Sequence, residues 1–345
     1  MTGELPGSFK KVLTALMLRT LASQPRRTST SPLTPGLWVE ELAGIQAQTQ
    51  AVPGMVRTIS QGRYASLITV KIEAARRSNA FQFEQATIEA HQAIRSALAV
   101  SPHHHPVRFW NFLPAIHEPM DAVRDRYMVF NAGRFTAFSD WFEGPDHLPE
   151  RLPAASGVGH DGDELIIHCL AFAHPGEAVE NPRQIPAFRY SARYGPRPPC
   201  FARATVAADP RGEGLLLLVA GTASICGEQT LHPRDLHGQL QETFTNLRAL
   251  LATAERSTEA TGLNAFTDLR IYYPHDRDMA MIEKIIRATF APEVRWEMCR
   301  ADLCRADLLV EIEGIARLNG KNFFRSRPET RAGSPCHDGG LKSCP

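Results

Sequence analysis

The sequence predicts an α+β protein of two domains built to one plan, each a mixed sheet with two helices packed on one face. Its 345 residues are enough for two domains of ordinary size. Hydrophobic residues make up 43% and charged residues 22%, which is typical of a globular chain. The same succession of helix, aromatic strand, helix and closing strand also occurs twice, which indicates an internal repeat.

The first helix of each repeat is amphipathic, over residues 83–99 and 237–253. Apolar side chains recur at helical spacing and predict one face that packs on a sheet. Laid side by side, these positions are Ala86, Ala90, Ala93 and Ala97 in the first helix, and Leu240, Phe244, Leu247 and Leu251 in the second.

The other elements follow in the same order in both repeats. The predicted aromatic strands, second helices and closing strands are 108–114 and 269–274, 121–138 and 278–290, and 165–173 and 308–316. Matching the closing strands places His168 opposite Glu311, so only the second repeat has a carboxylate there. This predicts one active site on a duplicated scaffold, unless His168 is simply a core or edge residue.

Two carboxylates mark the second closing strand. Glu311 and Glu313 alternate there with Val310, Ile312 and Gly314. A buried unpaired carboxylate costs several kcal/mol or takes up a proton, so either both side chains point to water or one of them lines a pocket and handles a proton. Glu313 is expected to point to the opposite face, as a structural or solvent-facing residue.

Small residues follow the predicted strand 215–220. The segment 221–227 allows a ligand to approach the backbone closely, which makes Gly221 and Ala223 candidate binding residues. It contains no GxxxxGK[ST] motif and is not a phosphate loop.

Three features of the second half resemble the YjgF/RidA family. They are the strand and turn LLLLVAGTASICG (215–227), a helix with Gln239 and Asn246 seven residues apart, and the closing VEIEGIA (310–316). The resemblance implies tandem RidA-like (chorismate-mutase-like) domains, with Glu311 in the ligand cleft of the second.

Four longer segments, 108–112, 126–134, 181–190 and 194–204, together resemble the chorismatase family of two-domain RidA-like enzymes, which remove pyruvate from chorismate. Members that form hydroxybenzoate have a Cys seven residues before the catalytic Glu, and Cys304 stands there. The resemblance therefore implies a 3-hydroxybenzoate synthase, with 4-hydroxybenzoate allowed as a second product. Such products feed pigments, ubiquinone or secondary metabolites.

The resemblance also implies roles for individual residues. Glu311 is the expected general acid, and Cys304 either takes part in the chemistry or shapes the pocket so as to direct the product. Chorismate is a dianion, and arginine binds carboxylates well. We expect Arg197 and Arg203 to bind one carboxylate and Arg134 the other, with Tyr194 hydrogen-bonded to the substrate.

Other function classes are disfavoured. The net charge of +1 gives no reason to expect a nucleic-acid partner, and no apolar run has the length of a membrane span. The seven scattered cysteines predict free thiols in a reducing cytoplasm. No metal or nucleotide cofactor is implied, and a monomer or small homo-oligomer is expected.

The predicted boundaries divide the chain into four parts. Residues 1–36 form an N-terminal segment, interpreted as a short helix and a loose linker rather than a signal peptide. Residues 37–178 form a first domain that lacks the catalytic Glu, 179–322 a second domain with the active site, and 323–345 a disordered tail.

Three other functions stay open on the sequence. One is a chorismate hydrolase that gives a dihydroxycyclohexadiene carboxylate. The others are a RidA-like imine deaminase and a non-catalytic small-molecule sensor on the same fold.

Overall fold

Two six-stranded mixed sheets form the protein, as a computed structural model shows. The structure describes residues 33–44, 46–257 and 262–318. The expectations for most of residues 1–36 and for the tail 323–345 therefore lie outside the described residues. No helix in the described part of the chain is long and apolar enough to span a membrane.

The first sheet and its helices lie within residues 47–172, after a short helix α1 (Leu37–Ala43). Its elements are β1 (Ala47–Val52), β2 (Met55–Gln61), β3 (Ser66–Ile72), α2 (Ala80–Ala99), β4 (His105–Pro114), α3 (Arg126–Trp141), α4 (Leu148–Arg151), β5 (Ala154–His160) and β6 (Leu165–Phe172).

The second sheet and its helices lie within residues 177–318. Its elements are β7 (Glu177–Val179), β8 (Ala204–Ala208), β9 (Leu215–Thr222), α5 (Leu236–Ala254), β12 (Phe266–Tyr273), α6 (Met279–Thr289), β13 (Arg295–Arg300) and β14 (Glu311–Leu318). A two-stranded hairpin, β10 (Ile225–Cys226) and β11 (Gln229–Thr230), lies between β9 and α5.

The two sheets have one topology, which confirms the predicted α+β fold of two domains built to one plan. The strand order is β1-β2-β3-β6-β4-β5 in the first sheet and β7-β8-β9-β14-β12-β13 in the second. In each sheet two helices follow the third and fourth strands along the chain. The division of the chain at 178/179 stays a proposal.

The sheets face each other and carry their helices on the outside. Leu217, Ile312 and Phe244 belong to the core between the second sheet and its helices. The alternate residues Leu218 and Ile315 pack with Trp110 of the first sheet. Because side chains on a strand alternate between the two faces, odd-numbered residues of β14 enter the space between the sheets.

The sequence patterns located the helices better than the strands. Helix α3 begins at Arg126 rather than near residue 121, because the Asp125 side chain accepts the Met128 N–H at 2.8 Å as an N-cap. The last strand begins at Glu311 rather than at 308. The strands β1–β3 were not predicted; β1 is exposed along most of its length, and β2 is mostly half-buried.

The expectation of free thiols holds for Cys169, Cys200, Cys299 and Cys304. It is wrong for Cys226, which forms a disulfide.

Candidate functional site

A cavity of about 260 Å³ lies where the two sheets meet. Its walls come from the start of α3, from β5, from the end of β9 and from the two loops 190–203 and 301–310. The isolated bridge from Gly159 to Asp302 ties the second loop to β5 of the first sheet. The cavity therefore needs residues from both halves of the chain.

Two polar residues of α5 hold the loops beside this cavity. The Gln239 amide donates to the Asp307 carbonyl at 2.8 Å and accepts the Leu309 N–H at 2.7 Å. The Asn246 amide donates to the Ala223 and Ile225 carbonyls at 3.0 and 2.9 Å. These two residues, seven apart on one helix face, thus fix the segments on either side of the site.

Glu311 is the first residue of β14, and its buried carboxyl group lies in the cavity wall. No side-chain hydrogen bond to this carboxyl group occurs within the described residues. Burial, reinforced by the nearby Glu313, raises its pKa from 4.5 to about 8, although Arg108 and Arg203 act in the opposite direction. Glu311 is therefore a neutral acid at neutral pH.

Gly221 makes room for the Glu311 side chain. A Cβ atom on Gly221 would lie 1.9 Å from Glu311 Oε1 and 2.6 Å from its Cδ. The register between β9 and β14 shifts between Ile312 and Gly314, where β9 contains one extra residue. This bulge re-aims the strand beside the carboxyl group.

Cys304 lies in the loop between β13 and β14 and lines the same cavity. Burial, together with the nearby Glu311, raises the pKa of its thiol to about 12. Tyr127 also lines the cavity, and burial raises the pKa of its phenol. Both groups keep their protons at neutral pH and can donate them.

Two buried arginines line the cavity, and of the two only Arg203 has a carboxylate within 4 Å in the described part of the chain. Arg134 Nη2 donates to Asn131 Oδ1 at 2.8 Å, and its Nε has no hydrogen-bond partner within the described residues. Arg203 Nη2 donates to Tyr190 Oη at 2.7 Å, and the Glu180 carboxylate lies 3.9 Å from its Nε. Burying such cations is costly, so an anionic ligand would stabilise both.

A third arginine, Arg305, completes this set. Its guanidinium lies 4.1 Å from the ring centroid of Tyr194, and its Nη1 donates to the Glu228 carbonyl at 2.9 Å. The Tyr194 hydroxyl donates to the same carbonyl at 2.5 Å. Its proton is therefore engaged, and the oxygen is left to accept a hydrogen bond from a ligand.

Seven of the eight predicted site residues line the cavity: Arg134, Tyr194, Arg203, Gly221, Ala223, Cys304 and Glu311. Arg197 does not line it, because this exposed residue places its guanidinium 5.0 Å from the ring centroid of Phe135. Arg197 and Arg203 were expected to bind one substrate carboxylate together, but only Arg203 lines the cavity.

The placement predicted for Glu313 is wrong. Residues two apart on a strand share a face, so Glu313 lies between the sheets with Glu311. It is buried, and Arg108 Nη2 donates to its carboxylate at 2.7 Å. Trp110 Nε1 at 2.8 Å, Tyr272 Oη at 3.2 Å and the Ser156 hydroxyl are its other donors.

His168 is a core residue. Its two ring nitrogens contact Thr69 Oγ1 at 2.7 Å and the Leu33 carbonyl at 2.9 Å. Burial lowers the pKa of the ring to about 4, so it is neutral. His168 does not line the cavity, and the closing strand of the first repeat contributes no titratable group to it.

Sequence reasoning missed several cavity residues, among them Tyr127, Ser156, Tyr190 and Arg305. Arg305 directly follows the predicted site residue Cys304, and this position could have indicated that it belongs to the site. Ser156 lies in a strand of small residues that carries no strong pattern. Only the pairing of β5 with β4, and the contact of β5 with β9, brings Ser156 to the site.

The chain is similar to known chorismatases along much of its length. Residues 43–171 match the family model described as chorismatase FkbO/Hyg5-like, N-terminal. A 3-hydroxybenzoate synthase of Streptomyces hygroscopicus is 36% identical over 217 residues, which cover 60% of this chain and 62% of that protein. A chorismatase of Streptomyces rapamycinicus is 32% identical over 60% of this chain and 63% of that protein. Each match spans less than two thirds of the relative.

A longer match and a solved structure agree with these. Another chorismatase of Streptomyces hygroscopicus is 30% identical over 269 residues, 76% of this chain and 70% of that protein. A chorismatase crystal structure superposes with a TM-score of 0.65 and 25% identity, covering 78% of this chain and 79% of that one. With the shared fold and a cavity built from both halves, these matches show that the chain belongs to the chorismatase family.

Proposed function

We propose that the protein cleaves the enolpyruvyl ether of chorismate and releases pyruvate and 3-hydroxybenzoate. The observation that carries this proposal is a neutral buried acid, Glu311, in a cavity that is otherwise rich in arginine. The family relationship supplies the substrate class, since the similar proteins are named chorismatase and 3-hydroxybenzoate synthase.

The charge of the cavity suits a dianion. Arg134, Arg203 and Arg305 line it, and besides Glu311 its only acidic residue is Asp125, which caps α3. With Glu311 neutral, the wall has an excess of two positive charges, which two substrate carboxylates would balance. Arg134 is on the opposite side of the domain junction from Arg203 and Arg305, so the proposed pose spans both halves.

Glu311 acts as general acid in this proposal. Its carboxyl proton adds to the methylene carbon of the enol ether, and the resulting cation is stabilised by the ether oxygen. The bond between the ring carbon and that oxygen then breaks, and the side chain leaves as pyruvate. The neighbouring ring hydroxyl bonds to the vacated carbon as its own C–O bond breaks, and that carbon loses its hydrogen as a proton to the Glu311 carboxylate, which makes the ring aromatic and restores the acid. A carboxyl group held neutral by burial is suited to donate a proton to carbon at neutral pH.

Cys304 directs the product in this proposal. The thiol is protonated and occupies the wall beside Glu311, where it limits access of water to the ring. All atoms of chorismate are accounted for by 3-hydroxybenzoate and pyruvate, whereas the dihydrodiol product requires an added water. Excluding that water therefore favours the hydroxybenzoate.

Turnover of chorismate tests the proposal. The purified protein is incubated with chorismate, and pyruvate, 3-hydroxybenzoate, 4-hydroxybenzoate and the dihydrodiol are separated by chromatography and quantified. We expect pyruvate and 3-hydroxybenzoate in equal amounts. Pyruvate at the level of a buffer control would contradict the proposal, and dihydrodiol as the main product would assign the hydrolase reaction instead.

The variant Cys304→Ala tests the product step in the same assay. We expect pyruvate release to continue while the aromatic share of the product falls in favour of the dihydrodiol. The control is Cys169→Ala, because Cys169 is a free buried thiol that does not line the cavity. An unchanged product ratio in Cys304→Ala would leave Cys304 with a packing role only.

A further inference from the structure

Glu313 lies two residues after the proposed acid on β14, and both of its carboxylate oxygens accept hydrogen bonds. The two oxygens of Glu313 meet four donors, from Arg108 and Trp110 on β4, Ser156 on β5 and Tyr272 on β12. The donors come from both sheets, so Glu313 joins the two halves of the chain. A carboxylate takes this set of donors well, since each contributes an N–H or O–H.

One of these donors links Glu313 to the cavity. The Ser156 hydroxyl donates to Glu313, lines the cavity, and accepts the Gly221 N–H at 2.9 Å. Gly221 is the residue whose Cα packs against the Glu311 carboxyl group. A continuous chain of contacts therefore runs from Glu313 through Ser156 and Gly221 to Glu311.

We propose that Glu313 is a positioning residue for the reaction: it holds Ser156 and Gly221 against the Glu311 carboxyl group, and its own carboxylate lies close enough to act on that group. This inference rests on the proposed role of Glu311 as general acid. It assigns Glu313 a role in activity, which neither a solvent-facing carboxylate nor a purely structural ion pair would have.

The charges around Glu311 agree with this role. Groups from every neighbouring element face its carboxyl group: Glu313 on β14, Arg108 on β4, Arg203 before β8, Cys304 in the loop 301–310 and Tyr127 on α3. The other charged or titratable residues of the cavity wall are His117, Asp125, Arg134, Tyr190, Tyr194 and Arg305. Of the charged groups that act on Glu311, Glu313 raises its pKa, whereas Arg108 and Arg203 lower it.

The experiment compares one variant that should lower the pKa of Glu311 with another that should raise it. Glu313→Gln removes the negative charge and leaves Arg108 unbalanced, so both changes favour loss of the Glu311 proton. In a plot of turnover rate against pH, the alkaline limb is the fall in rate as Glu311 loses its proton. We expect the midpoint of this limb to shift to lower pH by about one unit. Arg108→Gln should move it up. Tyr272→Phe removes one donor to Glu313 without changing charge, and its limb should coincide with that of the parent.

A second readout does not need turnover. Infrared difference titration of the carboxyl C=O stretch, assigned by its absence in Glu311→Gln, follows the Glu311 proton directly in the free protein. If the parent does not turn over chorismate, the proposed function fails, and this titration still decides the role of Glu313.

Opposite shifts in Glu313→Gln and Arg108→Gln support the proposal. The same Glu311 midpoint in the parent and in both variants would overturn it, as would equal shifts in Glu313→Gln and Tyr272→Phe. If Glu313→Gln does not fold, Ser156→Ala decides, because it breaks the contacts from Glu313 to Gly221: turnover equal to that of the parent would overturn the proposal.

Discussion

At the scale of single residues, the account depends on one carboxyl group that keeps its proton. Burial raises the pKa of Glu311 to about 8, whereas an unfolded chain releases this proton near 4.5. Between those pH values the folded state binds more protons than the unfolded state. The stabilisation that the bound proton gives is thus fully present below pH 4.5 and is lost as the pH rises to about 8.

This linkage predicts the effect of Glu311→Gln on stability. The parent should lose on the order of 3 kcal/mol of unfolding free energy between pH 5 and pH 8 through this group, and the variant should not. Urea unfolding at the two pH values measures the difference. The variant is expected to be the more stable protein at pH 8, a gain typical of removing a strained functional group. Equal pH dependence in both proteins would mean that Glu311 ionises near its ordinary pKa.

At the scale of elements, the extra residue at the end of β9 is what places the acid. Gly221 lies against Glu311, and the loop 301–310 is held by Gln239 on α5. Gly221→Ala should fold but displace the Glu311 carboxyl group, since the new Cβ would occupy its position. We expect chorismate turnover to fall by about 100-fold, as for other small misplacements of a catalytic group.

The matched control is Gly262→Ala, because a Cβ atom there meets no atom of the described residues within 4 Å. Thermal unfolding checks that both variants are folded, and the turnover assay compares them. Activity of Gly221→Ala close to that of Gly262→Ala would show that the Glu311 carboxyl group does not need the space beside Gly221.

The elements also show what a sequence can predict here. Helical periodicity predicts the long helices, and the VEIEGIA strand and the segment 194–204 contain several of the cavity residues. Strand alternation was misapplied to Glu313, although residues two apart share a face. Ser156 and Tyr127 carry no local pattern, because they become cavity residues only through the pairing of distant strands. Arg197 illustrates the converse, since a charged residue in a site loop can still point to solvent.

At the scale of the whole molecule, duplication supplies the site. Both sheets have the same strand order, yet the first presents the neutral, hydrogen-bonded His168 on its closing strand and the second presents Glu311 and Glu313. The first half contributes Arg134, Tyr127 and Ser156 instead. The second half thus provides the acid, and the first half provides part of the proposed substrate pocket. Neither half alone holds the complete cavity wall.

The most direct test of this account is chorismate binding and turnover by Glu311→Gln. Glutamine has nearly the same shape as the neutral acid but has no proton to give to carbon. Calorimetry should show that the variant binds chorismate as the parent does, while pyruvate release falls by at least about 100-fold. Pyruvate release at the parent rate would contradict the claim that Glu311 is the acid of this site.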